Sequence, residues 1–597
     1  MTTPRNRTRL HLGVYLTANL AAALAALLIT AGQTSAATRS QEDAEDATPL
    51  HPIFALLDEN GTNVLESGEP VSTLNTCGQC HDTQFITTHS YHVDAGLSTI
   101  SEAGTASGSP GLFGGWNPLT YRYLSGEDDT RIDMTTAEWL QEFGYRQVGS
   151  GPSTTSRDGS TPLADLGANA SPVEVSIVDP VTGALAPWDW EESGTAEMNC
   201  FLCHTPSPNN DARTAALQAG DFRWAATATL LGSGIVREAG DGLAWSKDAF
   251  DADGNLRPEW VLVQDPTSAN CGQCHGTVHL NNQIPLETST CDSSQWRTYT
   301  TGQIVSPQRI SASGLNLADK DELTRSWDVH AERVLECTDC HYSLNNPVYY
   351  QEAASERPEH LVFDPRRIDL GEYLYRPVHD FAKGQSAQGA LAPEIDNTLR
   401  RCESCHSIEN THDWLPYKDR HVSVLSCETC HIPQLYAPAA QYVDWTVLQA
   451  DGSPVDTCRG ITGGDGADNL ISGYQPVLLR RQDADGSTSL APHNLVTAWY
   501  WAYGEEDLPV PLRDLQAAWF EGDSYQPDLL AAFDGNGDGA LNTDELLIDT
   551  LEKEAAVAGR LSALGLENPH IVGEVRPYSI NHDVATGDWA VRECSTC

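Results

Sequence analysis

Basic residues are scarce. Of 597 residues, 35 are Lys or Arg against 83 Asp or Glu, a formal net charge of −48. Such a chain lacks the basic patch that nucleic acid or an anionic lipid surface requires, and both are excluded as partners. Methionine is scarcer still: beyond Met1 there are only Met134 and Met198. Thioether sulfur is therefore no general metal ligand here. Long apolar runs are missing after the first 37 residues, so no later segment reads as a membrane span.

The one long apolar run lies at the N-terminus. Arg5, Arg7 and Arg9 precede "LGVYLTANLAAALAALLITAG", and "TSAAT" follows, with small residues at Ala36 and Ala37. That order is the order of an export signal, so 1–37 reads as a signal peptide and 38–50 as an acidic linker. The run is also nearly long enough to span, which leaves an uncleaved membrane anchor as the alternative. Export implies a periplasmic or extracellular location. In that oxidising setting 16 cysteines would ordinarily pair as disulfides.

Their spacing says otherwise. The chain carries "CGQCH" at 77–81, "CFLCH" at 200–204, "CGQCH" at 271–275, "CTDCH" at 337–341, "CESCH" at 402–406 and "CETCH" at 427–431. This is the attachment pattern of haem c. Cys77 with Cys80, Cys200 with Cys203, Cys271 with Cys274, Cys337 with Cys340, Cys402 with Cys405 and Cys427 with Cys430 would each form thioethers to the two vinyl groups of one porphyrin. His81, His204, His275, His341, His406 and His431 would then meet the iron from the proximal side. Zinc knuckles and redox dithiols also use C-x-x-C, but neither needs a histidine next in every copy. Cys594 and Cys597 form a seventh pair, and the sequence stops where its histidine would stand, so the expectation is a truncated motif in a longer chain. Cys291 and Cys458 remain; an exported protein is expected to join them as a disulfide, with a free thiol beside a haem as the alternative.

The other axial ligand sets spin state and potential. With methionine nearly absent, histidine on both sides is the default, and histidines outside the motifs suffice for it. The distal candidates are His89, His92, His279, His330, His379, His412, His421, His493 and His582. "SWDVHAERVLECTDCH" reads as a helix carrying Trp327, Ala331 and Val334 on one side. In it His330 lies seven residues before Cys337, about 10 Å along the axis, and is placed to serve a neighbouring haem. His412 and His421 sit between two closely spaced motifs, where adjacent haems could exchange ligands.

Three regions follow the linker: 51–199 with the first motif and a motif-free insert, 200–431 as a haem-rich core, and 432–597. In the insert, "TTAEWLQEFG" reads as a helix with a capping box at Thr135 and Glu138. In the last region "DGNGDGALNTDE", 534–545, matches a calcium-binding EF-hand loop position by position. Asp534, Asn536, Asp538, the Ala540 carbonyl, Asn542 and Glu545 take the ligand places, and Gly539 the sharp turn. "QPDLLAAF" and "TDELLIDTLEKEAAVAG" read as its flanking helices.

With these motifs in view the chain resembles large multihaem c-type cytochromes, and is similar to the octahaem group that includes the tetrathionate reductase and hydroxylamine oxidoreductase families. The stretches from "NCFLCHTPSPNN" to "CETCHIPQLYAP" carry the likeness. It implies a mainly α fold with long irregular segments and a few short hairpins, in which haems form the core. C-x-x-C-K, the catalytic-haem motif of pentahaem nitrite reductases, is absent. No catalytic signature stands out, so an electron carrier is favoured. Its partners would be redox proteins at or outside the membrane, with a homo-oligomer or haem-stacked assembly as a further expectation. The alternative is an oxidoreductase acting on a small nitrogen or sulfur compound of the tetrathionate, hydroxylamine or nitrite type.

Overall fold

The computed structural model describes residues 51–88, 176–178, 185–187, 197–218, 221–240, 242–287, 301–344, 374–379, 381–382, 398–462, 469–482, 487–505, 508–510, 512–522 and 524–592. The signal peptide, the linker, the "TTAEWLQEFG" helix, His89, His92, Cys291, Cys594 and Cys597 lie outside the described residues.

The complete motifs begin on short helices: Thr73–Cys77, Cys200–His204, Ser268–His275, Cys337–Cys340, Cys402–Cys405 and Cys427–His431. In the last five, spacing of i, i+3 puts both cysteines on one face of the turn. Side chains start these turns in several ways. The Ser72 hydroxyl accepts from Asn75 N, the Asn199 side chain accepts from Leu202 N, and Thr267 and Asn270 form a capping box. The first two motifs share a core, built from Leu56, Val64, Phe201, Ile235, Trp245 and Phe250. Glu197 and Met198 hold the two motifs together: Ser72 Oγ donates to Glu197 Oε1 at 2.7 Å, and Thr73 Oγ1 to the Met198 carbonyl at 2.6 Å. That core spans the boundary read from the sequence at 199/200.

The last region departs from the expected mainly α fold. Strands Ala439–Leu448 (β1), Pro454–Arg459 (β2), Val477–Gln482 (β3), Thr488–Tyr503 (β4), Leu508–Pro509 (β5) and His570–Ser579 (β6) make one six-stranded mixed sheet. β4 is its spine. Its first part pairs antiparallel with β3 (Thr488 opposite Gln482), and its second with β6 (Ala502 opposite His570). It runs parallel to β1, with Thr497 opposite Tyr442. Helices Leu512–Trp519 (α1), Pro527–Phe533 (α2) and Leu551–Ala563 (α3) contribute to the same core. Trp445, Tyr500, Trp501, Trp519, Phe533, Val557 and Leu561 are buried there. The sheet was hidden because β1 is buried over most of its length, so "AAQYVDWTVL" lacks a clean polar alternation.

Two helices are shorter than their sequences suggest. Around His330 only Val329–Glu332 is helical; Val334 takes a left-handed φ of 64° and ends the turn. A β-branched residue in that conformation costs strain. After the 534–545 loop, helix α3 starts only at Leu551, where Thr550 caps Lys553 N.

Candidate functional site

The motif histidines follow directly from their turns. The backbone N–H groups of His81, His341 and His406 donate to the carbonyls of Cys77, Cys337 and Cys402 at 2.8–2.9 Å, so each imidazole leaves from the end of its thiol-bearing turn. Four of the imidazoles each face a second histidine ring. His204 faces His379 with ring centroids 5.9 Å apart, and His341 faces His582 at 6.1 Å. His406 faces His330 at 6.3 Å, and His431 faces His412 at 6.0 Å. A single metal ion between two imidazoles needs about 2.0 Å to each nitrogen, which with the ring radii gives about 6 Å between centroids. The spacing fits one iron per pair.

The hydrogen bonds of the rings suit the same role. Nδ1 of His204 lies 2.8 Å from the Gln264 carbonyl, that of His341 2.8 Å from Ala382 O, and that of His431 3.0 Å from Ala585 O. Opposite them, Nδ1 of His379 meets Pro377 O at 3.1 Å and that of His582 meets Gln303 Oε1 at 2.5 Å. Nδ1 of His412 lies 2.7 Å from Thr411 Oγ1. A carbonyl oxygen can only accept, so Nδ1 carries the proton in the rings it contacts, and the Nε2 lone pair is left for a metal. Burial lowers the pKa of His204, His341 and His412 and takes His379 and His582 down to about 4. These rings are neutral near pH 7, the form that binds iron. His330 differs: its contact with Asp328 raises its pKa.

The first cysteines of the motifs neighbour one another in twos: the Cys200 thiol pushes the pKa of Cys77 up, that of Cys337 does so for Cys271, and that of Cys427 for Cys402. None of the six is in a disulfide.

The second cysteines are less uniform than the repeated motif suggests. Cys80, Cys203, Cys340, Cys405 and Cys430 stand in no disulfide either. Cys80 departs from the helical placement expected of a motif pair. Its helix ends at Cys77, and Cys80 lies in the turn beyond, exposed, with its N–H donating to Cys77 O at 3.1 Å. The cause is local: Gly78 caps the helix, its N–H donating to Leu74 O at 2.9 Å. Cys430 stays helical and half-buried, and its carbonyl accepts from Val591 N at 2.9 Å, which fastens the sixth motif to the end of the chain. Cys274 belongs to the Ser268–His275 helix, one turn after Cys271, but its side chain lies outside the described residues.

Beside these motifs stand exposed apolar side chains, among them Val334, Leu374, Trp414 and Tyr417. Apolar surface of this kind next to covalent attachment points suits a flat macrocycle. The donor set, its spacing and its apolar borders fit haem.

Other candidates are placed elsewhere. His493 is buried in β4, with Nδ1 2.9 Å from Ala491 O and Nε2 3.2 Å from Ser579 Oγ, so both of its nitrogens have partners within the sheet. His279 lies near Ser306 Oγ, at 3.4 Å. His421 Nδ1 is buried without a hydrogen-bond partner. Cys458 is disulfide-bonded. The 534–545 loop closes on itself: Asp534 accepts from Gly537, Asp538 and Gly539 N, and Glu545 Oε1 from Gly535 and Asn536 N. Among the described residues no group of three or more His, Cys, Asp or Glu is placed to hold a metal ion. Sequence reasoning missed the outer partners Gln303, Thr411 and Asp328. The one available signal was Asp328, an N-cap type residue just ahead of His330.

No family model and no curated protein matches the chain. A solved structure, octaheme cytochrome c from Shewanella oneidensis, is similar at a TM-score of 0.30 and 13% identity, over 69% of this chain and 75% of that one. At that score the likeness carries no argument, and the function must be read from the chain's own residues.

Proposed function

We propose that this protein is an exported multihaem c-type cytochrome that passes electrons along a series of haems with histidine on both sides of the iron. The observation that carries the reading is the set of four facing pairs, each joining a motif histidine to one from elsewhere in the chain. His204 and His379, His341 and His582, His406 and His330, and His431 and His412 would hold four irons. Haem bound there supplies one-electron iron chemistry at low potential. These residues would supply both iron ligands at each site, and burial together with hydrogen bonding at Nδ1 keeps the rings of His204, His341, His379, His412 and His582 neutral. Cys77 neighbours Cys200, Cys271 neighbours Cys337 and Cys402 neighbours Cys427, which would set successive haems near one another. Haems held so would leave no coordination position for a substrate at these four sites. The partners of such a chain are redox proteins at or outside the membrane. Among the described residues no helix is long and apolar enough to cross a membrane.

A calcium ion on the 534–545 loop belongs to the same reading and is supported by its sequence pattern. Binding would require Asp534 and Glu545 to exchange backbone amides for the ion. Calcium titration followed by thermal unfolding tests it, and an unchanged Tm at millimolar calcium would refute it.

The electron-carrier reading is tested by low-temperature EPR of the haem-loaded protein, with and without nitrite, hydroxylamine or tetrathionate. Low-spin ferric signals unmoved by these compounds are expected. A high-spin signal that shifts with one of them would assign an oxidoreductase instead.

A further inference from the structure

We propose that Asp328 is a positioning residue shared by two of the iron sites, and that it makes His330 the most electron-donating of the described distal ligands. The inference rests on the haem reading above. The Asp328 side chain is 7% exposed and its carboxylate is fully engaged. Oδ1 accepts from His330 N at 2.7 Å, capping the short helix, and lies 3.3 Å from His330 Nδ1. Oδ2 accepts from Val584 N at 3.0 Å, while Val329 N donates back to Val584 O at 3.0 Å. One carboxylate thus clips the segment bearing His330, which faces His406, to the segment bearing His582, which faces His341.

The contrast with the other rings gives the electronic consequence. His379 has a backbone carbonyl at Nδ1, His582 a side-chain amide and His412 a hydroxyl, all uncharged. Among the described pairs only His330 has a carboxylate there. A carboxylate at Nδ1 shifts electron density toward Nε2 and raises ligand basicity. A more basic ligand and a nearby buried negative charge both stabilise ferric over ferrous iron, so the His406/His330 site holds its electron least tightly for this reason.

Spectropotentiometry and EPR of haem-loaded Asp328→Asn test this. His330→Met first identifies the signal belonging to the site. Asn keeps the size and a cap acceptor but removes the charge. The expected result is an about tenfold rise in the reduction equilibrium constant of that one haem, about 59 mV for a one-electron couple, with its low-spin signal retained. Asp328→Ala, which also cuts the clip, should disturb the His341/His582 signal as well. Unchanged potentials in Asp328→Asn, or an equal shift of every haem, would overturn the proposal. If Asp328→Asn does not fold, Gln303→Glu asks the converse at His582, where a lowered potential at one haem is expected and none would overturn it. If the wild-type protein lacks low-spin haems altogether, the haem reading fails instead.

Discussion

The motif-bearing region and the sheet region gather their apolar residues differently. Between Cys200 and His431 the regular elements are mostly single turns of helix, such as Cys337–Cys340, Cys402–Cys405 and Ile408–Thr411. Helices this short do not persist on their own, because one turn fixes more dihedrals than its hydrogen bonds repay. From Ala439 to Ser579 a sheet spine of 16 residues and three helices enclose a continuous core of Trp445, Trp501, Trp519 and Phe533. The motif-bearing region has smaller, separate cores instead, one around Phe201, Ile235 and Trp245 and another around Ile304, Ile310 and Trp327. The chain thus sets one large continuous core beside several small ones that carry the motifs.

The largest effect that would break this comparison is loss of attachment. Chain produced without haem should be cut by protease first within 401–431, where almost no residue is buried, while 439–579 survives as a resistant β-rich fragment, read by mass spectrometry and circular dichroism. Equal resistance of both regions would remove the contrast. Next comes the large core itself. Trp501 is fully buried and its Nε1 donates to Thr446 O at 3.0 Å, so Trp501→Ala should cost about 3–5 kcal/mol in urea unfolding of the sheet. The haem spectrum of the surviving folded protein should be unchanged. Smaller still is Thr550→Ala, which removes the cap of α3 and should cost about 1 kcal/mol in the same assay.

Legibility followed the same division. The attachment sites could be read because thioether chemistry fixes cysteine and histidine at set spacing, whatever the fold. Which histidine stands opposite could not, since His379 and His582 reach their partners by tertiary contact far along the chain. The histidine list therefore held the four facing residues together with His493, a buried strand residue whose nitrogens the sheet occupies. Apolar spacing misjudged the stretch before Cys337 because the helix of His330 ends at Glu332 and the chain turns at Val334. The sheet went unread because β1 is buried over most of its length, which erases the period-two signal there.

The central claim is the pairing of motif histidines, and single substitution of the four facing rings tests it most directly. His379→Ala, His582→Ala, His330→Ala and His412→Ala should each convert one low-spin ferric signal into one high-spin signal in EPR of the haem-loaded protein, a different one each time. Variants that leave the low-spin count intact would show that these rings do not meet an iron, and the electron-carrier reading would lose its support.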